Sequence, residues 1–329
     1  MTVANKPSAN AFVATARPIY NTLGFSKGYN FALWGIFCGA LMGFVLARIM
    51  FLDFDGVLCN PESAVGSAIP GQCYFYKKPG GRAGIMLHLA AVLPAAFLAV
   101  FQFVPAIRHR AILVHRICGY IILGLVIAST VGVFFVIVYT YEGMPDMQTA
   151  PAFSSLLFVV SKCIAFYNIK KLRIDRHRAW MIRAWAVAGY IITMRILSLA
   201  MANIVGSSAK RPYSTFPCAV IDFMFHHNET LVTALHPFCE MYYSGQSPNQ
   251  YTFVQADTTS GRPDQLVAAF NTTFSSGSWL ALAIHCIIAE VYIRQTSAES
   301  ERLRRISGQR QLELGRSCLG EPAVNRAEN

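Results

Sequence analysis

Two His-Arg pairs, His115-Arg116 in LVHRICGY and His177-Arg178 in DRHRAWMIRAW, stand at the mouths of two apolar runs. Imidazoles at a membrane boundary can ligate a metal or haem, carry a proton or grip an anion. Three more polar side chains interrupt apolar runs: His88, Gln102 and Arg195. On an ideal helix His88 and Gln102 fall within roughly 40° of one face, and His177 and Arg195 share a face at a rise of roughly 27 Å. Ionisable groups inside a span are costly. His88, Gln102, His177 and Arg195 are therefore candidate catalytic residues, suited to acid-base work and to orienting an anion. Gln102, His115, His177 and Arg183 form an inner polar level, with His88 and Arg195 at an outer one. Lys162, near the middle of the fourth run, either pairs with Glu290 of the sixth or snorkels.

The elements that position these groups are membrane helices. Of 329 residues, 54% are hydrophobic and 14% charged, against about 25% charged in soluble domains. Six apolar runs reach the length of about 20 residues that a spanning helix needs, at roughly 30–52, 83–104, 117–139, 152–171, 181–205 and 274–293. The expected fold class is all-α, a polytopic membrane helix bundle with a four-helix core made by the second to fifth spans. Gly124 and Gly132 are read as sites of close helix approach. Cys38, Cys118, Cys163 and Cys286 are read as packing residues.

The net charge of +11 follows the loops. Lysines and arginines precede the first span, sit between the second and third and between the fourth and fifth, and follow the sixth. With six spans these segments share a side, so the positive-inside rule places both termini in the cytosol. The basic excess is a topology signal, and no aromatic-basic module points to nucleic acid. Residues 1–29 form a cytosolic segment without a signal-peptide core, the first span is expected to act as a signal anchor, and 294–329 form a basic cytosolic tail, partly disordered. Two long outer loops, about 53–82 and 206–273, hold Cys59, Cys73, Cys218 and Cys239, disulfide candidates with three possible pairings. The later loop also holds the sequons at Asn228 and Asn271. Together these indicate a eukaryotic secretory-pathway membrane, endoplasmic reticulum or plasma membrane. The first loop is turn-rich and expected to be irregular, and Ala219–Phe225 of the second is expected to form a short helix or strand. His226, His227 and His236 lack ligand-like spacing and a fourth ligand, so no metal is expected.

Four motifs carry a family resemblance: MLHLAAVL around His88 with Gln102-Phe103 downstream, HRICGY from His115 to Tyr120, HRAWMIRAW from His177 to Trp185, and Arg195. They span about residues 83 to 200, and there the chain resembles the predicted-membrane-protein family known as domain of unknown function 2306. The fourth span, SSLLFVVSK, is less typical of it. The resemblance implies a fold and no reaction. The four-helix core is also similar, at fold level only, to diheme cytochromes of the b561 type.

Three functions follow as expectations. The leading one is a membrane-embedded enzyme or accessory protein acting on a lipophilic small molecule such as an isoprenoid or polyketide intermediate, in a fungal metabolite pathway. An alternative is a transmembrane electron carrier binding haem b, with His115 and His177 as an inner axial pair and His88 as an outer ligand. His88 finds no outer partner there, since His285 lies about 9 Å deeper. The last is a transporter, receptor or scaffold whose His-Arg pairs only anchor helices and contact lipid phosphates.

Overall fold

The computed structural model describes residues 11–138, 145–313 and 315. The tail beyond Gly315, where the sequence suggests disorder, lies outside the described residues, as does the end of the predicted third span at 139. After a short helix α1 (Ala11–Thr22) come α2 (Gly28–Leu46), which continues through a 3₁₀ turn at Ile49–Leu52, then α3 (Gln72–Tyr76), α4 (Pro79–Gln102), α5 (Pro105–Arg110), α6 (Ile112–Ile137), α7 (Pro145–Lys170) and α8 (Ile174–Gly206). The rest comprises β1 (Tyr213–Pro217), α9 (Cys218–Met224), α10 (Glu229–Leu235), α11 (Glu240–Tyr243), β2 (Tyr251–Gln255), α12 (Pro263–Gln295) and α13 (Ser297–Glu313). Six of these helices, α2, α4, α6, α7, α8 and α12, are long and apolar enough to cross a membrane. A helix satisfies every backbone group internally, as a bilayer demands. Large apolar residues such as Ile36, Phe134, Val160, Ile196 and Ile287 point outward, where lipid tails cover them. The protein is a multi-pass, all-α membrane protein.

The helices outrun the apolar windows that reveal them. α8 and α12 each have 33 residues, about 50 Å of rise against a hydrocarbon core of about 30 Å. The polar starts IDRHR and PDQLV are therefore helical turns projecting beyond the apolar layer.

The chain divides into two compact units, 1–152 with 191–279 and 153–190 with 280–329. The expected four-helix core is divided too, with α4 and α6 in the first unit and most of α7 in the second. In the first unit α4 and α6 pack along their length. Gly84, Ala91, Ala95 and Ala99 of α4 and Ile122, Val126, Ser129, Gly132 and Val136 of α6 are buried, at the three- and four-residue spacings of a helix seam. A Cβ on Gly132 would lie 2.7 Å from the Gly84 carbonyl oxygen and 2.7 Å from the His88 amide nitrogen. Gly132 is thus where the backbones touch. Gly124, expected to share that role, has no atom within 4 Å of its would-be Cβ and does not contribute to the contact.

The two long loops of this unit fold together into a cap. The first is not irregular throughout: Phe54–Leu58 forms a short helical turn, and Cys73 of α3 is disulfide-bonded to Cys59. In the second, β1 and β2 pair antiparallel from Tyr213↔Gln255 to Pro217↔Tyr251, and Cys218 bonds Cys239. Phe75 from the first loop shares a core with Phe216, Val220, Ile221, Val232 and Val254 from the second. Gly71, at φ +82°, passes so close that a Cβ there would lie 2.3 Å from the Met224 methyl. Loops that are four spans apart in sequence therefore share one side, as an even number of crossings requires. At their other ends, the Ala106 amide donates to the Leu23 carbonyl at 3.0 Å, joining the segment before α2 to the connection between α4 and α6. Asn228 is exposed and its side chain caps α10 by accepting from the Leu231 amide. Asn271, the other sequon, is 1% exposed inside α12.

The second unit holds α7 from residue 153, α8 as far as Tyr190, α12 from Leu280, and α13. α7 and α8 join through Lys171–Arg173, with Leu172 left-handed at φ 59°, and so run antiparallel as neighbours. The first residue of α8 has an amide without an intrahelical acceptor; Ile174 N–H donates to Ser307 Oγ of α13 at 2.9 Å.

Candidate intramembrane site

His88 faces the α4–α6 seam, four residues after Gly84. Its Nδ1 lies 2.9 Å from Ser129 Oγ and 3.4 Å from the Ser129 carbonyl oxygen. The imidazole is a polar pin between two helices whose close approach the neighbouring glycines permit. A serine hydroxyl is what hydrogen bonding across membrane helices uses. With backbones touching at Gly132 one turn away, α4 and α6 leave no gap between them at the level of His88. Gln102 is the last residue of α4 and is half-buried, His115 is half-buried in the first turn of α6, and Arg195 of α8 is exposed.

In the second unit, polar and aromatic side chains form a ladder between α7 and α8. Ser154 Oγ donates to Tyr190 OH at 3.0 Å, and the Phe158 and Trp185 rings meet edge-on with centroids 5.6 Å apart. Lys162 Nζ sits 3.9 Å from the Trp185 ring centroid and 3.9 Å from Met181 Sδ. His177 Nδ1 donates to the Ala165 carbonyl at 2.9 Å. On α7 the rungs are 154, 158, 162 and 165, the i, i+4, i+8, i+11 stripe of one helix face. Opposite them 190, 185, 181 and 177 descend α8 in antiparallel register. His177 is therefore oriented by a backbone carbonyl, which fixes the proton on Nδ1 and leaves Nε2 as the basic nitrogen.

Another side of α8 meets α12. Arg183 Nε donates to Glu290 Oε1 at 2.6 Å and its Nη2 to Oε2 at 3.1 Å, a bidentate fork. His285 Nδ1 donates to the Ala186 carbonyl at 2.8 Å, and a Cβ on Gly189 would meet the His285 ring at 3.3 Å. Arg178 Nη2 donates to Thr296 Oγ1 at 2.8 Å and its guanidinium lies over the Tyr292 ring. The choice left open by the sequence resolves here: Glu290 pairs with Arg183, and Lys162 rests on Trp185. Of the candidate catalytic residues the structure brings His177 into this network, together with Lys162, Arg183 and Glu290, which the sequence also singled out. Phe158 and Tyr190 escaped sequence reasoning, and Met181 and Trp185 entered it only as parts of the HRAWMIRAW motif, because, in an apolar run, an aromatic or thioether that seats a cation looks like any lipid-facing residue. The signal available was the four-residue spacing from Ser154 through Phe158 to Lys162.

The cap has polar clusters of its own. Asp222 accepts from Tyr243 OH at 2.6 Å and from His227 Nδ1 at 2.7 Å. His227 and His226 both have left-handed backbone, at φ 61° and 55°. Burial, reinforced by the Asp222 bond, pushes the Tyr243 phenol well above its ordinary range. Asp264 takes His236 Nε2 at 3.0 Å and Arg262 in a fork at 2.6 and 3.1 Å. Among the described residues no three of the His, Cys, Asp and Glu side chains converge as metal ligands would.

Residues 85–221 match the family described as predicted membrane protein DUF2306. That segment runs from Ile85 in α4 to Ile221 within α9, and it contains His88, His115, Lys162, His177, Arg183 and Arg195. The chain is also similar to a curated protein of Aspergillus versicolor named Ava biosynthesis cluster protein G, at 22% identity over 86% of this chain and 93% of that one. No solved structure matches.

Proposed function

We propose that this protein handles a lipophilic small molecule within its membrane domain, as an enzyme or accessory protein of a fungal metabolite pathway. The observation that carries the reading is the α7–α8–α12 network, which holds Lys162, His177, Arg183, His285 and Glu290 in fixed positions along apolar spans. Ionisable groups within spans oppose insertion, and helices that needed only to pack would do so more stably without them. The biosynthesis-cluster name of the fungal relative supports the same class. In this reading His177 Nε2 is the acid-base group, and His88 acts by fixing α4 against α6.

The membrane in which it does so belongs to the secretory pathway, with the disulfide-bonded cap on the non-cytosolic side and both termini in the cytosol. Disulfides in the cap and lysines and arginines concentrated in the connections opposite support that orientation. Protease protection of terminal tags in sealed microsomes tests it, and a protected tag reverses it. Deleting the gene in its host and profiling apolar extracts by mass spectrometry tests the activity. An apolar precursor should accumulate, and a His177→Ala copy present at normal levels in the membrane should fail to restore the profile. An unchanged profile removes the reading.

A further inference from the structure

Lys162 lies well inside the α7 span, eight residues before its end at Lys170, about 12 Å of helical rise from it. The residue is 4% exposed, so the ammonium does not reach the surface as a snorkelling lysine does. It is seated by the Trp185 face at 3.9 Å, the Phe158 ring at 5.6 Å and Met181 Sδ at 3.9 Å. An ammonium has three N–H donors, and a π face and a thioether are weak acceptors for them. Among the described residues no carboxylate pairs with it: in its own unit Glu290 gives both oxygens to Arg183. The adjacent Ser161 hydroxyl is also buried, at 1% exposure, with no hydrogen-bond partner.

We propose that Lys162 is the anchor for the carboxylate of a lipophilic acid. The proposal rests on the reading that the protein handles a lipophilic small molecule, and it names the class. Three arguments select a carboxylate. Arg183 and Glu290 satisfy each other, so Lys162 keeps an amine of its own to match, and one ammonium is matched by a monoanion. A single ammonium is a point charge and lacks the guanidinium fork that suits phosphate. The depth of Lys162 puts it beyond lipid headgroups and within reach of an acid whose chain is apolar. The aromatic seat fixes the ammonium without neutralising it.

The test uses the purified full chain in lipid nanodiscs with cis-parinaric acid, a fluorescent polyene carboxylate, read by energy transfer from tryptophan and corrected with empty nanodiscs. The acid should bind saturably to the wild type, and its methyl ester, which has the same chain and no charge, at least tenfold more weakly. Lys162→Met should lose at least tenfold in affinity for the acid, and Lys162→Arg should retain most of it. Equal binding of acid and ester, undiminished affinity in Lys162→Met, or no saturable binding of the acid each overturns the proposal. The acid-ester comparison needs no variant and so holds even where Lys162→Met folds poorly. An altered metabolite profile on gene deletion without acid binding removes this site and leaves the functional reading; acid binding with an unchanged profile does the reverse.

Discussion

A single methyl group added at Gly132 probes the contact on which α4 and α6 depend. The new Cβ would lie 2.7 Å from the Gly84 carbonyl oxygen, 2.7 Å from the His88 nitrogen and 3.0 Å from the His88 Cα. All three are backbone atoms, so no side chain can swing away. Ordinary contacts to carbon lie at about 3.5–4.0 Å, and the helices must part by roughly 0.8 Å. Overpacking of that kind costs about 1–3 kcal/mol, and the better helix propensity of alanine returns at most about 1 kcal/mol. Gly124 on the same helix supplies the control, because its would-be Cβ has nothing within 4 Å; Gly124→Ala should be neutral or stabilising by up to about 1 kcal/mol. Both variants can be unfolded thermally in one detergent and followed by tryptophan fluorescence. Gly132→Ala should melt several degrees below Gly124→Ala. If it melts at the same temperature or above, the helices are not in backbone contact at Gly132, and the account of His88 as a pin between them falls with it.

Glu290→Gln should lower the melting temperature by leaving Arg183 without its carboxylate, and Arg183→Met combined with Glu290→Met should recover most of the loss, since removing both charges is less costly than stranding one; full additivity of the two changes would refute the pair. Cys218→Ser opens a link across 21 residues and should cost the cap about 3 kcal/mol by loop closure, seen as faster limited proteolysis of the 213–256 segment than in the wild type. Asp257, ion-paired to Arg211, is held below the usual carboxylate range chiefly by the Thr259 hydroxyl and then by the Thr259 amide. A depressed carboxyl stabilises above its unfolded value and loses that contribution as pH falls through the native one, so the wild-type cap should become more protease-sensitive below about pH 4, and Asp257→Asn should show a shallower acid dependence, starting from a weaker cap at neutral pH.

The six spans were legible because hydrocarbon selects apolar runs of one length, and that selection acts residue by residue. Helix ends were less so: DRHR and PDQL are polar, and hydropathy cannot distinguish a helix leaving the bilayer from a loop. The disulfide pairing depended on how the cap folds, since spacing does not choose among three pairings and the fold joins Cys59 to Cys73 and Cys218 to Cys239. Within the spans, spacing located His88 and His177 on defined faces, but it could not reveal whether a neighbouring helix presents Ser129 or the Ala165 carbonyl to them. Gly124 and Gly132 are chemically identical, and only the crossing point separates them.

The packing of Phe75 and Gly71 against residues of the 213–256 segment bears on how the chain matures. The first loop emerges after one span, while its partner surface emerges after five, so Phe75 and its neighbours stay uncovered until most of the protein has been inserted. A chain halted or misthreaded in between presents that apolar patch, and its unformed cap, to whatever inspects nascent proteins on that side. Closure of the cap thus marks passage of the first five spans, and it ties the loop after the first span to the loop after the fifth.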